Sequence, residues 1–175
     1  NAYHGVSGEQ SLAALKALFK YTADPSSIAA IIIEPVQGEG GARALPEQCL
    51  DGLRALTREH GVLLIYDEIQ CGAGRTGTWR ALEKDGVEPD IMSVAKGLAA
   101  GYLPLGAAIF TNRVNEAITK TFGAVQTGHT FTGHTACCAA GVAVQKIVTR
   151  EKLVERVAAN ETRFQQMNGK NTKSR

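Results

Sequence analysis

Two short, nearly continuous apolar runs, Ile28 to Ile33 and Val62 to Tyr66, stand out in a chain otherwise patterned with helical spacing. Runs of this length, rich in Ile, Val and Leu, predict strands buried in a parallel sheet. Each ends at acidic residues, Glu34 in the first case, Asp67 and Glu68 in the second. Between them Leu50, Leu53 and Leu56 recur along one face from about Pro46 to His60. Pro46 suits a first helical position and Gly61 a stop, although Leu45 is a poor cap. Such a strand–helix–strand unit implies parallel strands joined by a right-handed crossover.

The alternation continues downstream. A helix near Thr78 to Asp85 leads to a strand over Asp90 to Ala95, and another strand follows over Leu105 to Phe110. Asn112 reads as the cap of a helix reaching about Thr121. A longer helix spans Thr135 to Thr149, and a polar amphipathic one starts near Lys152. Upstream, Leu12, Leu15, Leu18 and Phe19 mark a helix over Gln10 to Lys20. The expected fold is α/β, a mostly parallel sheet with helices on both faces.

Composition narrows the picture only a little. With 175 residues, 44% hydrophobic and 21% charged, the chain has the make-up of one soluble globular domain. A formal net charge of +2 is too small to argue for nucleic acid or an acidic membrane surface. The four cysteines (Cys49, Cys71, Cys137, Cys138) form no Cys-x-x-Cys pair, the adjacent two read as small core residues of an apolar helix, and the set points to a reducing compartment, the cytosol. No apolar stretch is long enough to span a membrane. The chain does not begin with Met and opens as though in mid-protein.

Ligands of open α/β sheets gather at the carboxyl ends of the strands. The residues there are Glu34 with the Gln37–Gly41 loop, Asp67 to Gln70, and Lys96. A Lys after an apolar strand is unusual, yet it could simply reach solvent. Asp67 ends the preceding strand, so amine and carboxylate would meet one edge, the pair that pyridoxal phosphate requires. A plain ion pair would account for the same two residues.

Gly72-Ala73-Gly74-Arg75-Thr76-Gly77 matches the dinucleotide fingerprint literally. That fingerprint should run straight from strand into helix, and here Asp67 and Glu68 would repel a pyrophosphate. His129 and His134 have no acidic or thiol partner close in sequence, so no metal site is expected. The Thr- and Gly-rich stretch from Gly128 to Thr135 suits a phosphate at a helix start, and equally an ordinary helix start capped by Thr135.

Three ordered segments carry a family resemblance: Glu34-Pro35-Val36-Gln37-Gly38-Glu39-Gly40-Gly41, Asp67-Glu68-Ile69-Gln70 with the glycine loop to Gly77, and Ala95-Lys96-Gly97. Together they resemble class III aminotransferases, which are fold-type-I enzymes dependent on pyridoxal 5'-phosphate. The resemblance implies that Lys96 is catalytic, binding the cofactor as a Schiff base and then shuttling a proton. Asp67 would pair with the pyridinium nitrogen and Gln70 would contact the phenolic oxygen. Thr130 would reach the phosphate of the neighbouring subunit, which implies a homodimer. Glu39 is similar to a substrate-side glutamate that pairs with a gating arginine.

The Ile28–Gly41 segment resembles 4-aminobutyrate enzymes most, whereas Gly101-Tyr102-Leu103-Pro104-Leu105-Gly106 is closer to ω-amino-acid:pyruvate transaminases. The expected reaction moves an amino group from an ω-amino acid, 4-aminobutyrate first, to a 2-oxo acid such as 2-oxoglutarate. Acetylornithine/ornithine-type or ω-amino-acid:pyruvate chemistry is the alternative. Residues 1–156 are expected to be the central part of the cofactor-binding large domain, and 157–175 a helix end with a frayed, family-unlike tail. Tyr3-His4-Gly5 reads as a look-alike of the family's ring-stacking element. That element, the glycine–serine phosphate loop and the arginine for the substrate carboxylate have no counterpart here. A truncated, non-catalytic homologue is therefore the other reading.

Overall fold

The computed structural model describes residues 7–171, so Tyr3-His4-Gly5 lies outside the described residues. In chain order the elements are α1 (Gly8–Tyr21), β1 (Ala30–Ile33), β2 (Val36–Gln37), β3 (Arg43–Ala44), α2 (Glu47–His60), β4 (Leu63–Asp67), β5 (Ile91–Val94), β6 (Ala107–Phe110), α3 (Asn112–Phe122), α4 (Thr135–Arg150) and α5 (Leu153–Asn171). Short 3-10 turns occupy Pro25–Ser27, Ala81–Lys84 and Lys96–Leu98. No described helix is long and apolar enough to cross a membrane.

The main sheet has the order β1-β4-β5-β6. Its first three strands are parallel, and β6 closes the edge antiparallel to β5. The mostly parallel α/β fold expected from the apolar runs is present. Leu64, Tyr66, Met92 and Val94 point to one face and pack with Leu50 of α2 and with Leu82 and Val87. Phe19 of α1, Leu56 of α2 and Val62 form a second cluster, with Leu12, Leu15 and Ile31 against it. The opposite face carries a cross-strand row set by the register, Ile32–Ile65–Ile91–Phe110, in which Ile32 is 64% exposed.

Several boundaries differ from the sequence expectation for local reasons. Pro46 is the N-cap of α2 rather than its first residue, with extended backbone at ψ 138°. Thr111, not Asn112, caps α3, and His134, not Thr135, caps α4, its Nδ1 accepting the N–H of Cys137 at 3.4 Å. The helix expected over Thr78 to Asp85 shrinks to the 3-10 turn Ala81–Lys84, because Glu68 takes the N–H groups of Ala81 and Leu82. Gly61 does end α2, at φ 70°, a left-handed conformation suited to glycine.

One buried carboxylate ties these layers together. Asp90, 4% exposed, accepts from Arg54 of α2 (2.7 Å), from Arg113 of α3 (2.7 Å) and from the Leu64 N–H of β4 (2.9 Å). Burial works to raise its pKa, but those hydrogen bonds outweigh it and hold the carboxyl at about 2, below the ordinary 3.8. A carboxyl depressed on folding contributes stability above its unfolded pKa, and that contribution is lost as pH falls through the folded one. Asp90→Ala should therefore lower unfolding free energy by about 3–5 kcal/mol in urea titrations at pH 7, because the largely buried Arg54 and the buried Leu64 N–H lose their partner, while the exposed Arg113 adds little. The deficit should shrink between pH 4 and pH 2. A loss below about 0.5 kcal/mol would mean that the clamp is a solvent-screened surface pair.

Candidate active site

The residues singled out at the carboxyl edge are placed by strand alternation. Asp67 ends β4 opposite Ser93 of β5, both on the face away from the main core. Three residues after Ser93, the chain leaves β5 at Lys96. There φ is 41°, a left-handed value that costs a non-glycine residue on the order of 1 kcal/mol. That kink opens the turn Lys96–Leu98, where Lys96 is exposed. Beside it lies a shallow, open concavity lined by Ala95, Lys96, Gly101, Pro104 and Gly106.

Two glycine contacts bring the three motif segments together. Gly97 faces Ala73, and a side-chain carbon added at Gly97 would lie 2.9 Å from the Ala73 Cβ, so the Lys96 turn seats directly on the glycine loop. Gly38 is covered by the end of the Gln70 side chain, which would have to shift to admit a Cβ there. The Glu34–Gly41 segment therefore meets the strand exit at Gln70. Its own turn is fastened by Glu34, whose carboxylate accepts the Gly38 N–H at 3.0 Å.

Around this edge the polar groups divide into used and unused ones. One Asp67 oxygen accepts the Ile69 N–H at 3.0 Å. The other oxygen, the Lys96 ammonium and the Gln70 amide make no hydrogen bond or ion pair among the described residues. The buried Ser93 hydroxyl, on the same face as Asp67, is also without a partner. Cys71 is buried, which pushes its thiol up to about 11 and keeps it protonated at neutral pH. An unpartnered amine, carboxylate oxygen, amide and hydroxyl at one sheet edge fit a polar aromatic cofactor that needs all four kinds of contact.

Glu39 follows Gly38, the glycine that Gln70 covers, whereas Thr130 lies in a separate loop. Thr130 is exposed in the loop before α4, and Glu39 is exposed at the tip between β2 and β3. The segment Leu103–Gly106 stands between Lys96 and the 129–134 loop, lining a hollow on each side. The glycine loop enters no α-helix. Instead Gly74 and Gly77 pack against Val154 and Ala158 of α5, which explains its glycines without a dinucleotide. Sequence reasoning placed Glu68 at the ligand edge, whereas it is buried on the core side, and it missed Ser93 and Gln145, the latter a polar residue facing inward from an apolar helix.

Comparison with known proteins shows the family. The sequence model of the family Aminotransferase class-III matches residues 2–173. Similar proteins include the 5-aminovalerate aminotransferase DavT of Pseudomonas putida, 44% identical over 89% of this chain and 36% of its own length. The 4-aminobutyrate aminotransferase GabT of Escherichia coli is 42% identical over 87% of this chain and 35% of its own length. Acetylornithine aminotransferase 2 of Caulobacter vibrioides is 49% identical over 81% and 34%. An amine transaminase from an uncultivated Pseudomonas species, solved in its PLP-bound internal aldimine form, superposes with a TM-score of 0.84 at 37% identity, over 89% of this chain and 36% of that one. The chain thus spans about a third of the length of the curated relatives it matches. A family match over nearly every residue, with the fold shared at this identity, means that the chain belongs to the class-III aminotransferases.

Proposed function

We propose that this chain is the cofactor-holding part of a pyridoxal-phosphate-dependent aminotransferase that moves an amino group from an ω-amino acid to a 2-oxo acid. The observation that carries the proposal is Lys96 itself, unpartnered and exposed on a strained left-handed turn at the sheet edge that Asp67 shares. When bound, pyridoxal phosphate supplies a conjugated ring that accepts the electron pair released at the substrate carbon. The Lys96 amine would hold the cofactor and would serve as the base that carries a proton at the substrate carbon. Asp67 would face the ring nitrogen and favour its protonated form by charge, one of its oxygens being held in place by the Ile69 N–H. Gln70 would contact the phenolic oxygen, Glu39 would serve the substrate side, and Thr130 would reach the phosphate held by the partner subunit of a homodimer.

As amino donor 4-aminobutyrate is favoured, with 2-oxoglutarate as acceptor. The likeness to enzymes named for 4-aminobutyrate and 5-aminovalerate supports a donor with a terminal amine. Acetylornithine is the second reading, supported by the relative named for it. A cytoplasmic location agrees with four free thiols. The exposed Ile32, Tyr102 and Phe131 favour the further reading that this stretch alone is inactive and needs the rest of a longer chain to cover it.

The test is coupled assay of the intact protein with 4-aminobutyrate, 5-aminovalerate or acetylornithine and 2-oxoglutarate. Lys96→Ala should lower kcat by about 10²–10⁴-fold or more, and Asp67→Asn by about 10²–10³-fold. Full activity of Lys96→Ala would reject the assignment.

Thr130 gives a second test through subunit mixing. Lys96→Ala and Thr130→Asp homodimers should each be inactive, but co-expression should restore about one quarter of wild-type activity, because half the dimers are mixed and each mixed dimer has one intact site. No recovery would place Thr130 in its own subunit's site, and an active Thr130→Asp homodimer would place it outside any site.

A further inference from the structure

The turn that presents Lys96 ends in two carbonyls, of Gly97 and Leu98, that a 3-10 turn of three residues cannot satisfy internally. Both are taken by one side chain. Gln145 of α4 donates from Nε2 to the Leu98 carbonyl at 3.0 Å and to the Gly97 carbonyl at 3.4 Å. Its Oε1 accepts the Trp79 Nε1–H at 2.8 Å. One amide therefore joins three segments: α4, the Lys96 turn, and the stretch that follows the glycine loop after Asp67. One turn earlier on α4, Gly141 allows the approach, since a Cβ there would come to 2.5 Å from Leu105 and 3.8 Å from the Leu98 carbonyl.

We propose that Gln145 is a positioning residue for Lys96, fixing the strained turn that aims the amine and tying it to the Asp67 side of the site through Trp79. The inference rests on the reading of Lys96 as the cofactor lysine. A left-handed lysine persists only where its surroundings hold it, and Gln145 supplies that hold on the carbonyl side. Because α4 also carries the loop with Thr130 at its start, the same amide links that loop to the Lys96 turn.

The experiment compares the intact wild-type protein with Gln145→Glu, Gln145→Leu and Lys96→Ala. Glutamate keeps an acceptor for Trp79 and loses the donor to the two carbonyls, whereas leucine loses both contacts. Hydrogen exchange is followed by mass spectrometry in the cofactor-free protein, and release of pyridoxal phosphate is followed after dilution of the loaded protein. Both Gln145 variants should speed exchange of the 95–102 segment about tenfold, with β4 and α2 unchanged. Cofactor release should quicken about tenfold, and kcat should fall while KM for the amino donor stays nearly constant.

Unchanged exchange and release in both variants would overturn the proposal. So would exchange rising equally in every segment, which would mark Gln145 as a general stabilising residue. If wild type and Lys96→Ala hold pyridoxal phosphate alike, the cofactor reading fails, and exchange in the 95–102 segment still decides whether Gln145 fixes the turn.

Discussion

Glu68 carries a carboxylate that is 1% exposed and accepts two backbone N–H bonds, from Ala81 at 2.8 Å and from Leu82 at 2.9 Å. Burial pushes its pKa up, and the bonds from Leu82 and Ala81 pull against that rise. Its own N–H donates to the Ser93 carbonyl at 2.9 Å, extending the β4–β5 pairing one residue beyond the strand. The side chain thus turns into the covered side of the sheet and anchors the whole excursion from Cys71 to Leu82. A buried carboxylate left without those donors would be costly, so the loop has little freedom to move away.

Alternation does the rest. With Glu68 committed inward, Asp67 must face the other way, beside Ser93 and toward the edge where β5 exits into Lys96. Gly72 confirms how closely the loop wraps, since a Cβ there would meet the Glu68 carbonyl at 2.7 Å. From that anchored loop, Ala73 receives Gly97 and Gln70 covers Gly38. The amine, the carboxylate and the amide of the site are thus placed by packing that touches none of their reactive atoms. On the opposite flank Asp90 does comparable work, holding α2, β4 and α3 at the amino end of β5.

Much of this was legible in the sequence, for physical reasons. Apolar runs such as Val62 to Tyr66 declare strands, and acidic residues at their ends mark the ligand edge. Gly61 declared a helix stop that the left-handed backbone bears out. What local pattern could not supply was long-range satisfaction. Nothing near Thr78 announces that Glu68, more than ten residues earlier, will take the N–H groups that a longer helix would have used. His134 outcompetes Thr135 as a cap by ring-nitrogen geometry, which propensity does not encode. The left-handed turn at Lys96 was equally hidden, because the sequence shows a lysine where glycine would be expected. Within one chain, Lys96, Asp67 and Gln70 share an edge, Glu39 adjoins the Gly38–Gln70 contact, and Thr130 lies in the loop before α4.

The central claim is that Lys96, among the lysines of this chain, is the one built to bind an aldehyde cofactor. Mixing the purified intact protein with pyridoxal phosphate, reducing with borohydride and mapping peptides by mass tests it directly. The account predicts a single cofactor mass on the peptide containing Lys96, lost in Lys96→Ala. Label spread over several surface lysines, and unchanged by that substitution, would contradict it.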